Sequence, residues 1–359
     1  VKVVKLLIGD RAKFHFGNYK RELTSVFSSD SLFSAIINNY ALLYPEKTEQ
    51  IIDKFRKREY LISSCYLGID FWNGEKKKKT IYFLIKPFWR IGRDRNEEND
   101  DDLRKRKMIK KLKYLSLNVY NDLLNAWNEE KGFFEYDLSA QFIIGNKFCI
   151  SNQEVDDLNL TFEEKRKLAD LNFIKEYSTP KVAVNRITNK SEAFYYENNI
   201  ELSYKKIGDY TLKPFFYFLA NQAFVENKEI RASLNLLCDE GLGGRRSMGI
   251  GQFQNCVYED ITGVLSHEGN KYISLSIVFP KKEEVDNVLS YNLVKRNGYI
   301  FSNGGRAFRK KDVRVMQEGS IFNCKVEGQF LDLKPEGFKL PHKVYLNGNS
   351  FLIGFGGGK

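Results

Sequence analysis

The chain has 359 residues, long for a single hydrophobic core, so two domains are expected. Its 57 Lys and Arg outnumber 46 Asp and Glu, and a formal charge of +11 favours polyanionic partners or acidic membranes. No apolar run approaches the ~20 residues that cross a bilayer, and five scattered cysteines without paired spacing exclude a zinc ribbon or disulfide scaffold and suit buried thiols in a reducing cytosol.

Residues 1–9 are apolar but interrupted by Lys2 and Lys5, which reads as a strand and not as a signal peptide. The polar, basic stretch at 10–28 carries Arg11, Lys13, His15, Asn18 and Lys20 and reads as a loop or ribbon. A helix is expected to start at Ser29 or Asp30, either of which can cap its first turn; Leu32, Ile36, Tyr40 and Leu43 follow at helical spacing, and Pro45 stops it. Residues 60–69 and 80–86 read as strands with a turn signal at Asn73-Gly74. The lysines at 76–79 form a basic tip, either facing a polyanion or merely solvated.

Residues 88–180 break this pattern. Arg90, Arg93 and Arg95 precede an acidic block at 97–102 and a basic one at 104–107. Apolar spacing from Ile109 to Leu123, and again over 162–173, is helical, so a partly helical insertion with a mobile acidic tip is expected. A β-hairpin is read over 182–187 and 193–202, then a strand at 215–224, a helix at 228–239 and a strand after Gln252. Beyond residue 260, strands are expected at 272–279, 298–301 and 320–326, a short helix at 281–289 and a flexible glycine tail from Gly354.

The stretch Gly241-Leu242-Gly243-Gly244-Arg245-Arg246-Ser247-Met248-Gly249-Ile250-Gly251 sits between that last helix and strand. Five glycines beside two arginines and a serine make a loop that another chain can approach closely, offering successive backbone N–H groups and guanidinium donors to an anionic backbone. The phosphate loop of nucleotidases fails because Ile250 stands where lysine belongs, and G-x-G-x-x-G fails at Arg246. Both motifs also open a helix, whereas this loop follows one, which weakens an NTPase reading. Gly243 and Gly244, beside Arg245, are expected to line the ligand's approach, and Gly249 and Gly251 to serve the fold. A smaller glycine-arginine element lies at 303–306.

Arg186, with Asn185 and Thr188, supplies donors for base edges or phosphate; an ion pair to Glu197 or Glu201 is the alternative. Of three histidines, His15, His267 and His342, the first lies beside the first strand and reads as a surface or phosphate-touching residue in preference to an acid–base group. Asp30 reads as a helix cap in preference to a metal-assisted carboxylate, and the aspartates at 100–102 as a solvated loop in preference to a cation site. No metal and no cofactor is expected.

Three of these stretches resemble the RAMP superfamily, the guide-RNA-binding proteins of CRISPR effector complexes. The glycine loop is similar to the glycine-rich loop of that superfamily. Ser28-Ser29-Asp30-Ser31-Leu32-Phe33-Ser34-Ala35 is similar to the start of the first helix in the subunit that caps the guide RNA's 5′ end in type III-A (Csm) complexes. Lys181-Val182-Ala183-Val184-Asn185-Arg186-Ile187-Thr188 resembles a hairpin strand there. The resemblance covers residues 1 to 255.

It implies an α+β fold of tandem ferredoxin-like (RRM-like) domains. The first spans 1–258, with an inserted β-hairpin and an insertion at about 88–180, and the second, smaller one spans 259–359. It implies a non-catalytic subunit in the cytoplasm that holds the 5′ repeat-derived handle of the crRNA and docks the large polymerase-like subunit and the adjoining backbone RAMP subunit. The residues then expected at RNA are His15, Asn18, Lys20, Lys181, Asn185, Arg186, Thr188, Gly241, Gly243, Gly244, Arg245, Arg246, Ser247, Gly249 and Gly251. The alternative is a RAMP endoribonuclease that processes precursor guide RNA without metal.

Overall fold

The computed structural model describes residues 1–16, 26–92, 107–261, 268–300, 308–335 and 342–357. Asn18, Lys20, His267, the acidic block at 97–102 and the element at 303–306 lie outside them. The apolar opening forms β1 (Lys2–Leu7), followed by β2 (Ala12–Phe14). Helix α1 (Ser29–Leu43) follows Ser28, whose side chain makes no capping bond. Asp30 is not a cap either, contrary to the sequence expectation. Its carboxylate accepts from Arg296 Nε and Nη2 at 2.9 and 2.7 Å, while Ser29 Oγ accepts from the Ile277 N–H at 3.2 Å. The helix start is anchored by residues far along the chain, and its first-turn side chains are therefore unavailable for local capping.

Helix α2 (Thr48–Arg56) follows Pro45, and β3 (Tyr66–Asn73) and β4 (Lys76–Ile85) form a hairpin turning through Gly74 at φ 55°. The lysines at 76–79 begin at the turn end of this hairpin, where Lys76 pairs with Asn73, and run into β4. Lys77 pairs with Glu259 at 3.0 Å and Lys79 with Asp157.

The stretch from 88 to 180 is partly helical, but it also contributes strands. It holds β5 (Tyr114–Ser116), α3 (Leu117–Asn125), β6 (Trp127–Asn128), β7 (Phe133–Phe134), β8 (Phe142–Ile144), β9 (Phe148–Ile150), α4 (Asn152–Asp156) and α5 (Phe162–Ala169). The helix expected to span 109–123 is interrupted because Tyr114 and Leu115 pair with both β4 and β9. Ser116 then restarts it, accepting from the Val119 N–H.

The hairpin comprises β10 (Ile174–Val184) and β11 (Ser191–Leu202), longer than its sequence pattern. There follow β12 (Lys205–Ile207), β13 (Tyr210–Ala220), α6 (Gln222–Glu226), α7 (Lys228–Glu240) and β14 (Asn255–Asp260). The C-terminal part holds β15 (Lys271–Ser274), β16 (Val288–Ser290), β17 (Leu293–Arg296), β18 (Val313–Met316), β19 (Ile321–Phe322), β20 (Gly328–Asp332), β21 (Tyr345–Asn349) and β22 (Leu352–Phe355). The expected helix there is a 3₁₀ segment, Lys282–Asn287, and the strand expected at 298–301 is a single bridge between Tyr299 and Arg309. Nor is the glycine tail free from Gly354 onward. Gly354 pairs with Tyr272, and the Phe355 ring packs 5.1 Å from both Trp127 and Phe134.

The largest sheet among the described residues has nine strands, in the order β14-β1-β13-β3-β4-β5-β9-β8 with β12 on β13. Leu32, Ile36 and Tyr40 of α1 and Ile230, Leu234 and Leu237 of α7 are buried, each large apolar side chain contributing roughly 1.5–3 kcal/mol. Ser233 Oγ donates to the Ile36 carbonyl and ties the two helices together. Strands β10-β11-β2 form a separate three-stranded sheet, and β16-β19-β15-β22 a four-stranded one. The fold is α+β, and one buried cluster runs from Ile36 and Phe216 through to Leu275, Ile321 and Ile353. Cys65, Cys149, Cys238 and Cys256 are buried free thiols. Among the described residues no helix is long and apolar enough to cross a membrane.

Candidate nucleic-acid interface

The glycine loop leaves α7 through Gly241 at φ 83° and closes on itself where the Leu242 N–H donates to the Gly251 carbonyl at 2.9 Å. A single 3₁₀ turn, Arg246–Met248, projects between Arg245 (φ 62°) and Gly249 (φ 73°). Beneath the loop lie Phe14, Phe16, Phe216 and Phe253, with Phe14 centroids 4.9 Å from Phe216 and 5.4 Å from Phe253. These buried rings hold the loop against β2. The Gly244 N–H donates to the His15 carbonyl at 3.0 Å and the Gly251 N–H to the Lys13 carbonyl at 2.8 Å.

Two sequence expectations change here. The loop does not present an uninterrupted row of N–H groups to an anion, because Gly241, Leu242, Gly244 and Gly251 all donate within the protein. Gly243 and Gly244 also face their own chain. A Cβ at Gly243 would lie 2.7 Å from the His15 carbonyl oxygen, and one at Gly244 2.7 Å from His15 Cδ2. Gly251 serves the fold as expected, its Cβ position lying 2.2 Å from the Leu242 carbonyl, whereas Gly249 faces open space. At the surface of the loop lie the side chains of Arg245 and Ser247, with Arg246 half-buried.

Arg245 is 44% exposed, and its Nε lies 3.2 Å from the carboxylate of Glu197, which is itself 5% exposed. Glu197 accepts from Asn199 Nδ2 at 3.2 Å. His15 Nδ1 donates to the Asn198 carbonyl at 2.7 Å and lies 3.3 Å from Asn199 Oδ1. Because a carbonyl only accepts, Nδ1 carries a proton in this contact. A polar chain thus links the loop, β11 and the segment just after β2, and pairs the Arg245 guanidinium through Nε while leaving much of it exposed. Arg246 lies 3.8 Å from Glu240, its neighbour at the end of α7.

The remaining predicted residues lie elsewhere on the hairpin. Lys181 is half-buried opposite Tyr195 on β10. Asn185 shapes the tip, its Oδ1 accepting from the N–H groups of Ile187 and Thr188 at 2.9 and 3.1 Å. Arg186 and Thr188 are exposed there. Arg186 takes neither Glu197 nor Glu201, which sit opposite Thr179 and Lys175. Thr179, the register partner of Glu197, is separated from Val184 by ~17 Å of strand, so the tip residues are not gathered with Arg245 and His15. Val182, Val184, Ile187, Phe194, Tyr195 and Tyr196 are exposed along this ribbon.

Among curated relatives, the CRISPR system Cms protein Csm4 of Methanocaldococcus jannaschii is 31% identical over 394 residues, spanning 99% of this chain and 98% of its own length. The chain belongs to the Csm4 family. The Csm4 protein of Streptococcus thermophilus is 25% identical over 95% of each chain, and residues 267–355 match the family described as the CRISPR Csm4 C-terminal domain. Among solved structures, a chain of a Csm3–Csm4 subcomplex in the type III-A CRISPR-Cas interference complex superposes with a TM-score of 0.64 at 22% identity, covering 99% of this chain and 100% of its own. A chain of a Csm1–Csm4 cassette in complex with cA4 does so at 0.55 and 17%, covering 99% and 98%. These two likenesses bear on the fold, and the type III-A RAMP resemblance read from three short stretches holds for the family.

In this Csm4-family chain, Asn198 and Asn199 were not singled out from sequence, and Glu197 was named only as an alternative partner for Arg186, whereas it pairs with Arg245. Their signal was an acidic residue and two asparagines, poor strand formers, within an aromatic β run. Lys13, two residues from His15 on β2, was visible only as one cation among several.

Proposed function

We propose that the chain is a non-catalytic RNA-binding subunit of a type III-A CRISPR interference complex. It holds the 5′ repeat-derived handle of the crRNA and docks the large polymerase-like subunit and the adjoining backbone RAMP subunit in the cytoplasm. The observation that carries this reading is the convergence of the glycine loop, β2 and the hairpin base on Arg245, with Glu197 orienting a guanidinium that remains 44% exposed. An oriented arginine gives bidentate geometry to phosphate or stacks on a base, and exposed Phe194, Tyr195 and Tyr196 supply the aromatic faces by which single-stranded RNA is held.

The strand order β14-β1-β13-β3, with α1 and α7 as the intervening helices, supports a ferredoxin-like core for 1–258. The family match over 267–355 supports a second unit over 259–359, which we also assign as ferredoxin-like. Asp30 bears on the non-catalytic reading, since its carboxylate is 3% exposed and held by Arg296. The solved relatives named for Csm3–Csm4 and Csm1–Csm4 assemblies support the two protein partners.

The test is fluorescence anisotropy with a labelled repeat-handle RNA over a salt series. Arg245→Ala with Arg246→Ala is expected to reduce the slope of log affinity against log salt by ~0.7 for each phosphate that the variant no longer neutralises. An unchanged slope in the folded variant overturns the loop assignment. Incubation with repeat RNA is expected to give no cleavage; cleavage abolished in His15→Ala would replace this reading with the endoribonuclease.

A further inference from the structure

A cavity of about 770 Å3 opens at the base of the hairpin, lined chiefly by Arg11, Lys13, Lys175, Lys205, Asp10 and Glu201. Among the described residues none of the four cations has a carboxylate within ion-pair reach. The two carboxylates have local partners. Asp10 Oδ1 accepts from the Tyr204 N–H at 2.7 Å, and Glu201 Oε1 accepts from Ser203 Oγ at 3.2 Å. Glu201 stands in register between Lys13 on β2 and Lys175 on β10, so one negative charge sits between two positive ones, with Arg11 and Lys205 added at the rim. Arg11 itself adopts φ 57°, an unusual conformation for a side chain of its size. Four cations against two engaged carboxylates leave a net positive, hydrated cleft, whose chemistry suits anionic oxygen far better than an apolar ligand.

The cleft and the glycine loop share a strand. The carbonyls of Lys13 on β2 and of His15 just after it hold the loop through Gly251 and Gly244, and two residues of extended chain span at most ~7 Å. A cationic line therefore runs from Arg245 past His15 to Lys13 and Arg11. We infer that this cleft seats phosphodiester groups of single-stranded RNA, extending the interface past the glycine loop to the base of the hairpin. This inference rests on the RNA-binding reading above.

The experiment uses the full chain and a fluorescently labelled oligouridine, titrated over a salt series. Three variants are compared with the parent: Lys175→Gln with Lys205→Gln, Arg245→Ala with Arg246→Ala, and a control, Lys228→Gln with Lys282→Gln, exposed on other elements. Glutamine keeps much of the length of the stems, and thermal midpoints check folding. At ~0.7 per phosphate contact, the cleft variant is expected to lower the salt slope by about 1.4, with the control unchanged. A lowered slope in the loop variant alone overturns the cleft while leaving the loop reading intact. A lowered slope in the cleft variant alone supports the cleft and overturns the loop. No change in either overturns both, and an equal reduction in the control overturns a localised cleft in favour of diffuse charge.

Discussion

Gly243 and Gly249 share a left-handed backbone, at φ 93° and 73°, but differ in what surrounds them. A side chain at Gly243 meets the His15 carbonyl and the Phe16 ring, whereas one at Gly249 meets nothing within 4 Å. Gly243→Val is therefore expected to lower stability by about 1–3 kcal/mol, and Gly249→Ala by only ~1–2 kcal/mol from the backbone term. Paired thermal midpoints measure this, and a Gly249→Ala loss exceeding that of Gly243→Val would refute the packing read here. A second residue of interest is Glu318, 2% exposed, whose carboxylate accepts from Ser64 Oγ. Burial raises its pKa above the ordinary carboxyl value, with Ser64 and Arg296 acting against that rise. A raised folded pKa contributes stability below the unfolded value and loses it as pH climbs through the folded one. Glu318→Gln cannot ionise and keeps the acceptor. Its thermal midpoint should gain on the parent as pH rises from about 4 toward 8, and a difference independent of pH would remove this account.

At the scale of elements, the hairpin combines a tethered base with a solvent-exposed tip. Glu197 and Asn199 are buried at the base, while residues 186–191 are exposed and hold their shape through Asn185. Replacing residues 185–190 with an Asn-Gly turn, which suits a two-residue hairpin, is expected to leave the thermal midpoint within the ~0.5 kcal/mol range of surface changes. Handle-RNA affinity should fall, because the exposed cations Arg186 and Lys190 are both removed. Unchanged affinity in such a variant would confine the RNA interface to the base.

Across the whole molecule, the start of α1 is joined to the C-terminal strands by charge as well as by packing. Asp30 is 3% exposed and doubly bonded to Arg296, whose Nη2 also donates to Ser31 Oγ. Removing one partner of a buried pair strands the other, so Arg296→Ala is expected to cost about 3–5 kcal/mol. Asp30→Asn combined with Arg296→Met should cost less than the sum of the single changes, because the double variant leaves no unpaired charge. Additive losses in denaturant unfolding would mean that the pair contributes nothing as a pair.

The opening strand, the helix stopped at Pro45 and the turn at Gly74 were legible in the sequence because each depends on residues only a few positions apart. The composition of the glycine loop and the surplus of positive charge likewise pointed to an anionic polymer without any coordinates. Tertiary structure alone decided that Asp30 meets Arg296 and so does not cap its helix, and that Tyr114 to Ser116 join a sheet inside an otherwise helical pattern. It also decided that Gly243 clears its own strand before any ligand, and that Glu197 orients Arg245. The physical reason is common to all four. A local pattern reports propensity, whereas a partner far along the chain is chosen by the burial of the aromatic core, which brings β2, the hairpin and the loop together.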